Sequence, residues 1–427
     1  MSKLSVDSLS ISKIGELLIE QLGEDAADYT FPEDFEKAVV DIDFKGLVIV
    51  GESSPYDLIV IGNGLNGLPR SNNATPTAFY KTVRFVGNPD SIPFRSFFGQ
   101  LQLTSIIIPD SVTYVGSDAF YGCNSITEIE FPDNVMFGTT SLNMTSLEKI
   151  RFKDGWRYES QSNSPLTVFK GTNLKTLGKG EEYDVDVTDV SDIPAGFFGY
   201  SNLVSIDMSG ITASPHAFRN CSMLEEATHL QNVPSNIFDG CVLLRSVTID
   251  SGATEIGSGA FNGCRSLETI LIPDTVTHIW QDAFIGCTSL RSVTGNGVAY
   301  IGAGVNNQGR SFYNCTSLKS ISFPKLQNIN TTGNAYAVFG GCSALETALI
   351  GGVGYPLTVC SNVSFAGCTN SSLEITVFVE PNTASAILSN IRNGATNATI
   401  IMKAAVDMEY NGTTYQAGDT ILTSTPA

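Results

Sequence analysis

Apolar residues return along this chain with a period of twenty-odd positions, and within each period they keep one order. The fullest copy runs from Leu267 to Leu290. Leu267, Ile270, Ile272, Val276, Ile279, Ala283, Phe284 and Cys287 are its apolar positions, and Leu290 opens the next cycle. The end of Leu-x-x-Ile-x-Ile alternates with period two, which predicts a strand with one buried face. Pro273 lacks a backbone donor and ends that strand. The Val-x-x-Ile and Ala-Phe steps then return apolar side chains to the same side as the chain turns back. Gly286 and its equivalents Gly122, Gly240, Gly263, Gly341 and Gly367 supply the backbone freedom that a corner needs.

A Phe followed three residues later by Cys recurs at Phe120, Phe218, Phe238, Phe261, Phe284, Phe312, Phe339 and Phe365. Weaker copies begin at Phe97 (Gln100 in the Cys slot), at Phe169 (a residue short) and at Phe197 (Tyr200 in the Cys slot); Ser141 to Met144 fills the same slots. That makes about twelve copies, 20 to 28 residues apart. A unit this small cannot bury its own apolar set, whereas stacked units share one continuous core. The Phe residues and Cys123, Cys264 and Cys287 are therefore expected in that core, ring over ring and sulfur over sulfur.

The unit IPDTVTHIWQDAFIGCTSL (Ile272 to Leu290) resembles the BspA-like leucine-rich repeat, and the similarity covers roughly residues 93–374. The resemblance implies an α/β-type repeat solenoid of about twelve coils, with a parallel sheet on one face. It also implies adhesion or surface binding. The chain departs from the pattern at 141–180, 295–310 and 350–364, read here as loops on the solenoid rim.

Solenoid ends expose an apolar cross-section and need covers. Residues 1–92 read as a small acidic α+β N-terminal cap or docking module. Ile11, Ile14, Leu18 and Leu22 lie on one helical face. Pro32 can open a second short helix, and strands are expected at Leu47–Val50, Leu58–Ile61 and Val83–Val86. Residues 375–427 read as a C-terminal cap: a strand at Ile375–Val379, a helix at Thr383–Ile391, a strand at Thr399–Met402 and a hairpin turning at Asn411-Gly412. This piece could equally serve attachment or oligomerisation.

Composition narrows the partners. The 427 residues are 42% hydrophobic and 16% charged, too apolar for a disordered chain. With 24 basic against 43 acidic residues the net charge is −19, which repels nucleic acid and anionic lipid. Residues 1–60 alone hold 13 acidic and 4 basic residues. No apolar run approaches the ~18 residues of a membrane-spanning helix, so no membrane insertion is expected. Asp7, Lys13, Glu16 and Glu20 interrupt any secretory h-region. The expected location is a virion or a cell-surface assembly if another export route exists, and the cytoplasm otherwise.

Candidate chemistry is sparse. Eight of nine cysteines share one repeat slot and no Cys-x-x-Cys pair occurs, so free buried thiols are expected rather than disulfides or zinc. Cys360 is outside the slot and is the one to watch for reactivity. His216, His229 and His278 read as rim or surface residues. Gly62-x-Gly64-x-x-Gly67 follows a strand like a dinucleotide fingerprint, but Pro69 and Pro76 deny it the helix that would aim amides at a pyrophosphate. No catalytic, cofactor or metal site is expected, and the chain is read as a non-enzyme.

Positions alternating with the buried strand residues face the concave sheet in two files. Candidate binding residues there are Glu128, Glu130, Lys149, Arg151, Asp207, Glu226, Thr269, Thr294 and Ser322. The N-terminal half mixes charges and the C-terminal half is a Ser/Thr lawn. A solvated face chosen for strand propensity explains the files equally well. Loops 154–165, 179–193, 295–311 and 351–363 are stronger candidates. The expected function is recognition or adhesion through a protein or glycan ligand, on a host cell surface for instance. The alternative is a structural part of a larger assembly, such as a phage fibre, spike or accessory protein, held through its terminal modules or as a homo-oligomer.

Overall fold

The computed structural model describes residues 47–50, 57–61, 81–86, 88–152, 157–158, 168–169, 172–302, 309–329 and 337–426. The helices expected at 11–22 and from Pro32, and the Gly62–Gly67 turn, lie outside them. The chain divides into two compact units, 1–190 and 191–427.

In residues 1–190 the first strands fall where the pattern placed them. Leu47–Val50 pairs antiparallel with Asp57–Ile61, which runs parallel to Thr82–Val86. Each following coil contributes two strands. The longer ones form a broad parallel sheet in which Glu128–Phe131 pairs with Lys149–Phe152. Two-residue strands, Ser91–Ile92, Tyr114–Val115, Met136–Phe137 and Arg157–Tyr158, form a second, narrow parallel sheet.

Residues 191–427 repeat the scheme. Ser205–Asp207, Glu226–Leu230 and Ser246–Ile249 pair in parallel, as do Thr269–Leu271, Ser292–Thr294, Ser320–Phe323 and Thr347–Ile350. The parallel ladder continues past residue 374 through Glu374–Val379 and Thr399–Ala404, and Thr420–Ser424 closes it antiparallel. The narrow sheet runs from Glu255–Ile256 to Val359–Cys360. Between these last broad strands lies the one α-helix among the described residues, Ala384–Gly394, which buries Ala384, Ile387 and Ile391. Its Arg392 donates to the Ala398 carbonyl (2.7 Å) and the Ser424 carbonyl (2.7 Å), tying down the closing strand. The hairpin Met408–Tyr410/Thr413–Tyr415 turns through Asn411 and Gly412, both at positive φ.

The Phe residues stack. In the second unit Phe198, Phe218, Phe238, Phe261, Phe284, Phe312, Phe339 and Phe365 follow one another at centroid distances of 5.8, 5.9, 5.7, 5.2, 5.0, 5.4 and 5.1 Å, with planes nearly parallel. Strands in a ladder lie ~4.8 Å apart, so rings carried one per coil settle into offset stacking. In the first unit Phe97 stacks on Phe120 at 5.3 Å. Leu142 then holds the ring position, since the Phe120 amide donates to Ser141 O as the Phe97 amide donates to Ala119 O. Ser141 thus occupies the small-residue slot rather than the Phe slot expected for it. Phe131, Phe137 and Phe152 fill the volume with edge-on contacts.

One weak copy is corrected by a residue. Phe198, not Phe197, is in the stack, and Ser201, not Tyr200, takes the Cys slot: Ser201 Oγ lies 3.3 Å from Cys221 Sγ. Tyr200 holds the corner at φ 62, where other coils use Gly or, at Asn220 and Asn314, asparagine. Along the file each thiol donates to the carbonyl of the preceding coil's Phe: Cys123 to Phe97 (2.9 Å), Cys264 to Phe238 (3.3 Å) and Cys287 to Phe261 (3.2 Å) are examples. A small donor that tolerates burial is what the site asks for, and Cys supplies one.

Candidate functional site

Outward residues of the broad sheet come together differently in the two units. In residues 1–190, Glu128 pairs across the ladder with Lys149 and Glu130 with Arg151, all four exposed. The strand Val185–Asp186 is inserted between the strands that carry Arg151 and Gly178, parallel to both, so part of segment 179–193, expected as a loop, joins the sheet. Val185 and Val187 are buried, and Asp186 is pinned. Its Oδ1 accepts from the Thr188 hydroxyl (2.6 Å), the Thr188 amide (2.9 Å) and the Gly180 amide (3.2 Å), and Arg151 Nε lies 3.8 Å from Oδ2. Burial pushes the Asp186 carboxyl up, but these donors and the Arg151 charge outweigh it and hold it below the usual carboxylate value. Arg151 also reaches Asp189 at 3.5 Å. The result is a fixed patch of alternating charge.

In residues 191–427, Glu226 pairs with Ser205 and Ser246, and Asp207 with Thr228. Thr269 pairs with Ser292, one coil before Thr294 and Ser322 become neighbours. Thr294 and Ser322 line a depression of ≈ 220 Å³ with Ser320, Thr347, Leu349, Glu374 and Thr376. Glu374 and Thr376 are not among the expected residues. The period-two run Glu374–Val379 was the signal that carried both files onward. The floor is mostly hydroxyl. Leu271, 78% exposed, is an apolar point beside it.

The remaining candidates lie elsewhere. Cys360, the thiol to watch, is 4% exposed and burial pushes it up to about 12, away from the thiolate that reactivity needs. His278 stands on the narrow sheet, its ring 4.7 Å from Tyr300 and 5.5 Å from Trp280, whose Nε1 donates to Glu255 (2.7 Å). His229 is exposed at a bulge, 3.5 Å from Asp250. Burial and then the Arg219 charge lower the pKa of half-buried His216, against an opposing effect of Asp239. All nine cysteines are free and buried. Among the described residues no three His, Cys, Asp or Glu side chains converge to hold a metal ion, and no helix is long and apolar enough to cross a membrane.

A family model described as a BspA type leucine rich repeat region (6 copies) matches residues 90–225, 214–308 and 306–393. Among solved structures the chain is similar to a leucine-rich repeat protein from Bacteroides ovatus, with 20% identity, 67% of this chain and 95% of that one covered, and TM-score 0.37. It is similar to a leucine rich cell surface protein from Faecalibacterium prausnitzii, with 18% identity, 65% and 92% covered, and TM-score 0.25. It is also similar to the pneumococcal vaccine antigen PcpA, with 14% identity, 81% and 82% covered, and TM-score 0.41. No curated protein matches the chain.

Proposed function

Because the chain belongs to the BspA-type leucine-rich repeat family, we propose that it is a non-enzymatic recognition scaffold that presents its broad sheet and adjoining loops to a glycan or protein ligand, such as one on a host cell surface. The observation that carries this reading is the hydroxyl-lined depression around Thr294 and Ser322. A rigid parallel ladder holds those hydroxyls in fixed register, so the ordering cost of binding falls mainly on the ligand. Their own strand backbones are committed to neighbouring coils, which leaves side chains as the recognising groups.

The test is a glycan array together with a cell-binding screen of the full chain, repeated with Ser322→Tyr. That substitution fills the depression while keeping a strand-forming residue. At least tenfold weaker capture is expected. A blank screen, or a ligand held as tightly by the variant, counts against the reading.

One observation favours the assembly alternative. Thr420–Ser424 is the last strand of the broad sheet, and among the described residues no strand covers its outer edge. Such an edge can accept a strand from another chain. Light scattering on the full chain that found only monomer, at every concentration tried, would argue against self-assembly through it.

A further inference from the structure

Loop 351–357 crosses one end of the broad sheet and is pinned on both sides. The Gly351 amide donates to Phe323 O (3.0 Å), the Gly354 amide to Ala405 O (2.7 Å) and the Leu357 amide to Phe378 O (2.8 Å). This brings two lysines to its flanks. Lys325 Nζ lies 5.6 Å from the Tyr355 ring centroid, and Lys403 Nζ lies 6.0 Å from that of Phe378, the residue opposite Lys403 in the ladder. Several basic side chains in residues 191–427 are matched to acids, as Arg219 to Asp239, Arg245 to Glu225, Arg310 to Asp282 and Lys319 to Glu346, and Arg392 is bonded to carbonyls. Among the described residues Lys325 and Lys403 form no ion pair. An ammonium over a ring face gains a modest attraction and keeps donors for a further partner. In a chain of net charge −19, two such cations beside one loop make a local anion-attracting corner.

The corner adjoins the hydroxyl floor, since Phe378 and Thr376 alternate onto the same face of one strand. Glu374, the acid of the depression, is four residues from Phe378, about 13 Å along the strand. The exposed Tyr355 ring belongs to the loop, beside Lys325.

Resting on the recognition reading above, we propose that this corner binds the carboxylate-bearing sugar of an acidic glycan. Lys325 and Lys403 take the carboxylate, Tyr355 lies against the sugar ring, and the Ser/Thr floor takes the hydroxyls of the next residues. A glycan fits better than an acidic peptide. The amides of the interior strands are already bonded within the ladder, so an extended peptide finds no strand edge there, whereas a polyhydroxyl ligand needs only side-chain partners.

The experiment is calorimetric titration of the full chain with an oligosaccharide alternating glucuronate and N-acetylglucosamine. A neutral chitin oligosaccharide of equal length and a hexaglutamate peptide are the comparators. We expect salt-sensitive binding of the glucuronate oligosaccharide, at least tenfold weaker binding of both comparators, and a loss of tenfold or more in Lys325→Gln/Lys403→Gln. Circular dichroism of that double variant should match the parent, since both side chains are on the surface. No binding of the glucuronate oligosaccharide, equal binding by the double variant, or hexaglutamate binding as tightly overturns the proposal. If the cell or array screen yields a ligand that Ser322→Tyr releases and the lysine variant keeps, the acidic-sugar proposal fails while the recognition reading stands. If neither variant changes capture of a ligand found in the screen, both fail.

Discussion

Phe261 shows what a single residue contributes. Its side chain is fully buried, with Phe238 stacked at 5.7 Å on one side and Phe284 at 5.2 Å on the other. Truncation removes apolar burial and leaves a hole that two rigid neighbours cannot close. We expect Phe261→Ala to cost about 3–5 kcal/mol, the range for buried Phe truncations, measured by denaturant unfolding. A variant as stable as the parent would contradict the stack. Some positions are fixed by the neighbouring coil rather than by their own. A Cβ on Gly116 would lie 2.4 Å from the Phe94 amide nitrogen, and one on Gly257 would lie 2.5 Å from the Pro234 carbonyl carbon. Both glycines answer a close approach between coils that no reading of one repeat reveals.

At the scale of the element, the inserted strand Val185–Asp186 depends on one carboxylate. Because the Asp186 pKa is lowered in the folded state, its contribution is present above the ordinary carboxylate pKa, near 4, and is lost as pH falls through the lower folded value. Asp186→Ala should speed proteolytic cleavage within 179–190 at neutral pH, and acid should do the same to the parent. Equal cleavage rates in the two proteins at pH 7 would show that the strand stands without its anchor.

This element also marks where sequence reading stopped. Phe-x-x-Cys spacing and period-two runs made the coils, the Phe stack and the thiol file legible, because each copy repeats the same burial problem. Val185 and Val187 carry the same alternation, but Asp184 before them and Asp186 between them read as a charged loop, and only the donors around Asp186 make its burial tolerable. The Phe197-Phe198 pair left the register ambiguous by one. The amide of Phe198 bonding to Ala217 O decides it, a contact made by the following coil. Loop 351–357 was recognisable as a departure from the repeat, yet its two lysines lie in other coils, and nothing in the spacing joins them.

For the whole chain, the buried thiols, those of the file and Cys360 outside it, predict a response to alkali. Burial pushes Cys123 and Cys360 up to about 12, and Cys264, Cys287 and Cys368 also upward. In the unfolded chain the same thiols ionise near their ordinary pKa of about 8.5. The folded state therefore holds protons that the unfolded state gives up, and stability that is complete at neutral pH falls as pH rises through and above that value. Melting temperature should drop between pH 8 and 10.5, and the drop should be shallower in Cys264→Ala, which removes one contributor. Parallel slopes for variant and parent would mean that other groups govern the alkaline limit.

The same file carries a consequence for ageing. While a coil is closed its sulfur is out of reach of oxidants, but a coil that opens releases a thiol that can be capped before it returns. A capped sulfur no longer fits under its neighbour's carbonyl, so each such excursion becomes one-way. In oxidising surroundings the working life of this protein would be counted in openings, not in sulfurs.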